Sequence, residues 1–395
     1  MTPVSILRLA FLILGVFPLL SCSDAGSETA PPFHVANGLF DMSEKDTLGL
    51  SRTEGAETYT VFRAEAGSAQ YNHAAVLIGF KGQLYAMWQS SQQDEDAADT
   101  RVLYSVSDDG TEWSAPAVLS APLEQGIMSS GGWWTDGDTL IAYLLVWPER
   151  PGSPDHSYTL YRASTDGQTW SEPKAVMRRD GTALSGVIEQ DMRALPDGRI
   201  LTAVHEAPGL IVSPYYTDDP AGISGWTKGQ MSNLPHEGPI SRELEPSWYR
   251  RADGALVMTF RDQASSHLKL ASLSRDRGES WTTPMLTNFP DSRSKQSAGN
   301  LPNGTAFQVN NPSTDKTRLP LVLTLSEDGV LFDQAFLLRS REDLPPQRYE
   351  GKYKREGYSY PKSLVQDGWL YVAYATNKED IEITRVPISS LTAPN

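Results

Sequence analysis

Short runs in which apolar and polar residues alternate, the period of a half-buried strand, recur along almost the whole chain. Six pairs of them are joined by a Gly-containing turn: Lys81-Gly82, Asp136-Gly137, Asp197-Gly198, Asp253-Gly254, Asn303-Gly304 and Asp367-Gly368. Gly accepts a positive φ without steric cost, so each turn predicts a β-hairpin. First strands are expected near 73–79, 129–134, 190–195, 245–250, 295–301 and 358–364. Their partners are expected near 84–89, 139–147, 199–205, 255–261, 305–311 and 369–375. The last unit has a third strand at Asp380-Ile-Glu-Ile-Thr-Arg385 but little chain beyond it for a fourth. The stretch Glu57-Thr-Tyr-Thr-Val-Phe62 can supply that strand from the other end of the chain. Few helices are expected, and the polar segments 93–100 and 149–156 read as loops over one face.

A longer period lies on top of the strands. Trp113, Trp170, Trp226, Trp281 and Phe332 follow one another at steps of 57, 56, 55 and 51 residues. Four of them close a box of Ser, Asp, Gly and aromatic: Ser107-Asp109-Gly110-Trp113, Ser164-Asp166-Gly167-Trp170, Ser274-Asp276-Gly278-Trp281 and Ser326-Asp328-Gly329-Phe332. The unit ending at Trp226 keeps the aromatic and reads as having lost the box. A short Asp side chain accepts backbone N–H bonds in a tight turn, and the aromatic packs that turn onto its own sheet. One such turn is only a hairpin signal, whereas four at one period predict a radial repeat of four-stranded antiparallel sheets. The fold class expected is therefore an all-β propeller of six blades, with seven open if residues 34–65 form most of a further blade.

Composition adds a compartment and excludes a partner. The first 21 residues, with Arg8 and an apolar run from Ile6 to Leu20, read as a secretion signal, and residues 22–33 as a tether to a catalytic domain over 34–395. Cys22 is the only cysteine among 395 residues, so no intramolecular disulfide can form. Leu19-Leu20-Ser21-Cys22 resembles a bacterial lipoprotein junction, in which the thiol is acylated. That resemblance implies a protein held at a cell-envelope membrane through Cys22, facing the periplasm or the exterior; an ordinary cleaved signal is the alternative, and a monomer is expected. A net charge of −15 argues against nucleic acid as a partner. It leaves an acidic oligo- or polysaccharide open, because local arginines and lysines decide that.

Topology then points to a site. In a hairpin the start of the first strand lies beside the end of the second, and radial repetition gathers all these ends on one rim around the axis. First-strand starts carry Asn72, His73, Arg193, Glu245, Arg293, Lys295, Tyr358, Tyr360 and Lys362; second-strand ends carry His205, Glu206, Arg261, Asp262, Asn310, Asn311 and Lys378. A merely solvated rim has no need of two His, two Tyr and so many cations at one place. Strand alternation puts Tyr358, Tyr360 and Lys362 on one face. His205-Glu206 is not a zinc signature, because strand neighbours face opposite ways and no further ligand accompanies them. No cofactor is required by these residues, and a structural calcium on the axis stays open.

The boxes and the terminal Gly357-Tyr-Ser-Tyr-Pro-Lys-Ser-Leu-Val-Gln-Asp-Gly368 resemble the sialidase-like propeller superfamily over residues 57–390. In the sialidases of that superfamily three arginines bind a carboxylate, a Tyr–Glu pair is the nucleophile and an Asp is acid and base. The resemblance implies Tyr358 at the nucleophile's strand start with Glu245 as its partner. Arg63, in Val-Phe-Arg-Ala, resembles part of the Phe-Arg-Ile-Pro element but lacks the Ile-Pro, and no Asp stands out after the first strand. The chain also resembles the secreted propellers that cleave rhamnosyl-glucuronate linkages, described both as rhamnosidases and as lyases, with a histidine as key residue. That resemblance carries His73, Arg293, Lys295, Asn310 and Asn311. Elimination from a uronate would need a cationic clamp, a base such as His73 and an acid such as Tyr358 or Tyr360. Hydrolysis would need two groups flanking the bond, with Glu206, Glu245 and Asp262 as candidates. A glycan-binding propeller without catalysis is the third reading.

Overall fold

A computed structural model describes Met1, residues 30–148 and residues 156–391. The expected signal, Cys22, most of the tether and most of the loop 149–156 lie outside the described residues. Six sheets stand radially around an axis, each running from an inner to an outer strand in chain order. Blade 1 is Tyr71–Phe80, Gln83–Ser91, Arg101–Ser107 and Ala117–Ser120. Blade 2 is Ile127–Thr135, Leu140–Trp147, Tyr158–Ser164 and Lys174–Ala175. Blade 3 has an inner strand in two pieces, Val187–Ile188 and Arg193–Ala194, then Ile200–Glu206, Ile211–Thr217 and Thr227–Lys228. Blade 4 is Glu243–Arg250, Leu256–Asp262, Leu268–Ser274 and Met285–Pro290, and blade 5 is Ser297–Asn300, Ala306–Asn310, Leu321–Ser326 and Gln334–Arg339. Blade 6 takes Tyr358–Gln366, Trp369–Thr376 and Asp380–Pro387 from the C-terminal end and its outer strand, Glu57–Phe62, from the N-terminal end.

That last pairing, with Glu57 opposite Arg385 and Phe62 opposite Ile381, closes the ring. Residues 34–65 therefore build no seventh blade. His34–Val35 instead runs parallel to Leu331–Phe332, and Phe33 is buried edge-on against Tyr249, Phe289 and Phe332.

The boxes work as their residues require. Ser107 Oγ accepts the Gly110 N–H at 2.8 Å while Asp109 Oδ1 accepts those of Thr111 and Glu112 at 2.8 and 3.2 Å. Ser164 and Asp166, Ser274 and Asp276, and Ser326 and Asp328 repeat the pattern. The third unit corrects the sequence reading. Thr217 Oγ1 accepts the Asp219 N–H at 3.1 Å, and Asp219 in turn accepts from Ala221 and Ser224, so a longer box with Thr for Ser survives ahead of Trp226. Between blades the interior is apolar, and indoles tie neighbours together: Trp133 Nε1 donates to Val76 O of blade 1 at 3.1 Å, and Trp248 Nε1 to Asp191 O of blade 3 at 3.2 Å.

Candidate active site

Four of the six innermost strands carry the same defect at one end. Register slips by one residue between His73 and Val76, Ser130 and Gly132, Leu244 and Ser247, and Ser359 and Lys362. Each slip is a β-bulge with a positive-φ residue inside it: Ala74 at 56°, Gly132 at 93°, Glu245 at 51° and Tyr360 at 57°. A bulge bends the strand and re-aims the side chains around it. Pro246 and Pro361 follow two of these residues, and proline, which cannot donate to a ladder, is at home in a bulge.

The bulges of blades 4 and 6 bring Glu245 and Tyr360 together. The Tyr360 hydroxyl donates a short hydrogen bond to Glu245 Oε1, and Arg261 Nη1 lies 2.7 Å from Glu245 Oε2 and 3.3 Å from the Tyr360 oxygen. Burial pushes the phenol pKa well up, with the Glu245 charge adding to it. Burial works to raise the Glu245 carboxyl too, but Arg261, Lys295 and the phenol outweigh it and hold it down to about 2. At neutral pH the pair is a phenol against a carboxylate. The strained backbone of Glu245 is held from behind, where its N–H donates to His205 Nε2 at 3.1 Å. That leaves the proton of the ring on Nδ1, 4.0 Å from Glu189 Oε2. His205 is kept neutral chiefly by burial, against the pull of Glu189.

Under Tyr360 lies a buried ionic floor. Lys295 Nζ sits 5.3 Å from the ring centroid and bonds Glu189 at 2.8 Å and Gln190 at 3.0 Å; Lys362 bonds Asp191 at 2.8 Å. The break in the inner strand of blade 3 frees Glu189, Gln190 and Asp191 for this role. His73 packs on the other side, its ring centroid 4.3 Å from that of Tyr360 and 6.0 Å from that of Tyr71. It is 1% exposed and neither ring nitrogen has a partner. Burial, then Lys378, Arg318 and Lys295, drive its pKa well below 6.5, so the imidazole is neutral.

Two loops and a second arginine complete the rim. Arg318, ahead of the third strand of blade 5, stacks 5.1 Å from the Tyr360 ring with Nε and Nη1 buried and unpartnered. The segment 92–100 folds over this face, as expected, and meets 350–354: Lys352 N–H donates to Asp94 at 2.7 Å and Glu95 N–H to Lys352 O at 3.3 Å. It places Glu95 on Lys378. Its neighbour Asp96 is raised to about 6 by burial and by Glu95, against Lys378 and Lys352.

Several expected residues stand elsewhere. Tyr358 and Tyr360 do not share a face, because the bulge between them breaks the alternation. Tyr358 is buried between blades, its hydroxyl on Ser340 O at 3.0 Å and its ring against Tyr374, and the pairing with Glu245 belongs to Tyr360. Lys362 is sealed in the ionic floor at 2% exposure. Asn72 spends all its polar atoms on Ala69 O, Glu379 O and the Trp88 indole, a lock between blades 1 and 6. Arg193 stacks on Trp248 at 4.5 Å and lines a cavity of about 420 Å³ around the axis with Trp133, Met192 and Phe307. Glu206 faces away from His205, toward Ser213, Tyr215 and Lys228. Asp262 is clamped by Arg242 at 2.7 and 3.1 Å. Asn310 bonds Pro290 O and Asp291, and Asn311 bonds Pro320 O. Arg63 lies with its side chain 71% exposed, 3.8 Å from Asp380. Among the described residues Arg293 makes no hydrogen bond or ion pair, and its Nε is buried.

Sequence reasoning missed Arg318, Asp96, Arg355 and Glu189 as site members. The first three sit on loops that a search of inner hairpin ends does not visit. Among the described residues no group of three or more His, Cys, Asp or Glu is arranged to hold a metal ion, and no helix is long and apolar enough to cross a membrane.

A six-bladed, box-bearing propeller with a cluster of polar and charged side chains at one end of its inner strands defines the class. The chain belongs to the BNR repeat-like domain family, whose model matches residues 82–372. Its fold is that of the sialidase propellers. One solved sialidase is similar at 20% identity with a TM-score of 0.66, covering 90% of this chain and 35% of its own. A Hadza microbial sialidase is similar at 16% and 0.65, covering 84% and 69%. Trypanosoma rangeli sialidase, solved with 2,3-difluorosialic acid as a covalent intermediate, is similar at 12% and 0.63, covering 87% and 60%. The chain thus spans about a third of the first sialidase's length. No curated protein sequence matches it.

Proposed function

We propose that this protein is a retaining glycoside hydrolase that releases a terminal sugar acid, with Tyr360 as nucleophile. The observation that carries the reading is the Tyr360 hydroxyl donating to a Glu245 carboxylate beside Arg261. A phenol is a poor nucleophile until a base takes its proton, and a carboxylate already in hydrogen-bond contact is placed to do so. A neutral nucleophile also suits an anomeric carbon that bears a carboxylate, because an anionic one would be repelled.

In the first step Tyr360 Oη bonds to the anomeric carbon as the glycosidic C–O bond breaks. Glu245 takes the phenol proton and Asp96 gives its proton to the departing oxygen. In the second step a water attacks the same carbon, Asp96 takes the water's proton and the Tyr360 oxygen leaves with the proton from Glu245. Arg318, with its Nε and Nη1 unpartnered, and Arg261 hold the substrate carboxylate. His205 is a positioning residue for Glu245, and His73 is a neutral wall against the sugar.

His73 supports a second reading. A neutral imidazole with both nitrogens bare can take a proton, weakly because its pKa is lowered, so elimination from a uronate, with Tyr360 protonating the leaving oxygen, draws on the same residues. Digestion of oligosaccharides ending in 2-ulosonic or uronic acids, followed by mass spectrometry and ultraviolet absorbance, separates them. Hydrolysis adds one water across the products. An unsaturated uronate without water uptake would mean elimination, and measurable affinity without cleavage would mean a lectin.

A further inference from the structure

Around Tyr360 three cations are matched by carboxylates: Arg261 by Glu245, Lys295 by Glu189 and Lys378 by Glu95. Three guanidiniums on the same rim are not. Arg318 is 6% exposed with two nitrogens buried and unpartnered, Arg293 has its Nε buried and unpartnered, and Arg355 makes only a long 3.4 Å bond to Lys316 O. None of the three forms an ion pair among the described residues. An unpaired guanidinium as buried as that of Arg318 is costly, and Arg293 and Arg355 beside it on the rim are half-buried. Arg355 is held below the usual arginine range by burial and then by Arg318; Arg293 by burial and then by Arg261. Arg355 thus feels Arg318 most among its charged neighbours and Arg293 feels Arg261 most, and in the chain Arg293 lies between the outer strand of blade 4 and the inner strand of blade 5.

One carboxylate has two oxygens in a plane, which two or three fork-shaped guanidiniums saturate. Arg318 and Arg355, neither of them matched by a carboxylate, already meet that need. We propose that the sugar released here carries a second anionic substituent, which Arg293 binds. This rests on the sugar-acid reading above and narrows it to a dianionic sugar. Asp262, the carboxylate whose charge Arg293 feels most, does not substitute for that ligand, because Arg242 holds both its oxygens. The positive φ of Arg293, 57°, fixes the backbone from which the side chain reaches.

The test is isothermal titration of the full chain at low ionic strength with N-acetylneuraminate and with glucuronate, each with and without an O-sulfate or O-phosphate, and with inorganic sulfate. A charge-assisted contact predicts about tenfold tighter binding of the ester-bearing form, shrinking as salt rises. The affinity ratio of ester-bearing to plain sugar should fall to about one in Arg293→Gln and persist in Arg355→Gln. A preference for sulfate over phosphate, or the reverse, names the substituent. Plain sugar acids that bind or are cleaved with no gain from the ester overturn the inference and leave the hydrolase standing. A gain that survives Arg293→Gln overturns the assignment to Arg293. No binding or cleavage of any of these sugar acids removes the underlying reading and this one with it.

Discussion

Replacing Asp96 with Asn probes the step that most depends on environment. An Asp at its ordinary value of 3.8 would be protonated in about one molecule in a thousand at pH 7, too few to serve as an acid. Burial and the adjacent Glu95 raise Asp96 to about 6, against Lys378 and Lys352. That makes it about nine-tenths protonated at pH 5 and about one-tenth at pH 7, a gain on the order of a hundredfold at neutrality. The wild-type kcat/KM should therefore fall along a limb centred near pH 6, roughly tenfold from pH 5 to pH 7. Asp96→Asn cannot give a proton, so it should lose the limb. It should also lose about 10²–10⁴ in rate on a natural, poor leaving group and far less on a nitrophenyl glycoside, whose leaving group needs no proton. The assay is a pH series on both substrates with both proteins. A limb that persists in the variant, or equal losses on the two leaving groups, would refute the assignment.

Tyr360→Phe should remove hydrolysis with the fold intact, read by turnover and thermal unfolding together, whereas Tyr358→Phe should keep most activity and lose about 1 kcal/mol with its bond to Ser340 O. His73→Ala should cost less than Tyr360→Phe if the ring is a wall, and as much if it is a base, which steady-state rates on one substrate decide. His205→Ala should lower kcat and leave Glu245 less well fixed, while an imidazole-preserving change in its surroundings, such as Glu189→Gln, should cost less; equal losses would mean that His205 does not act through its bond to Glu245. We propose that Cys22 is acylated; Cys22→Ser should then release the protein from the membrane fraction, and wild-type protein found soluble with an unmodified thiol would contradict it.

The blades were legible because their signals are local. A Gly turn, an alternating run and a box each lie within a dozen residues or so, and one period repeats them. Even the closing strand Glu57–Phe62 followed from a missing fourth strand in the last unit. The pairing of Tyr360 with Glu245 was not legible from alternation, since an inserted residue at each bulge reverses the faces beyond it. The signal lay in Glu245-Pro246 and Tyr360-Pro361, two prolines where an inner strand should not tolerate them. Arg318 and Asp96 come from loops whose path depends on contacts with other blades, and no periodicity reports those. Asn72 and Lys362 have the chemistry of ligands, and only the positions of Trp88, Glu379 and Asp191 show that they are occupied.

Treatment of the protein with 2,3-difluorosialic acid and with the corresponding fluorinated uronic acid fluorides, followed by peptide mass mapping, tests the central claim most directly. Such reagents slow the second step, so a retaining hydrolase accumulates one glycosyl group on its nucleophile. The account predicts a single adduct on the peptide containing Tyr360, absent in Tyr360→Phe and lost with time as turnover resumes. Turnover of the natural glycan that yields an unsaturated uronate and no adduct, or an adduct on another residue, would contradict it.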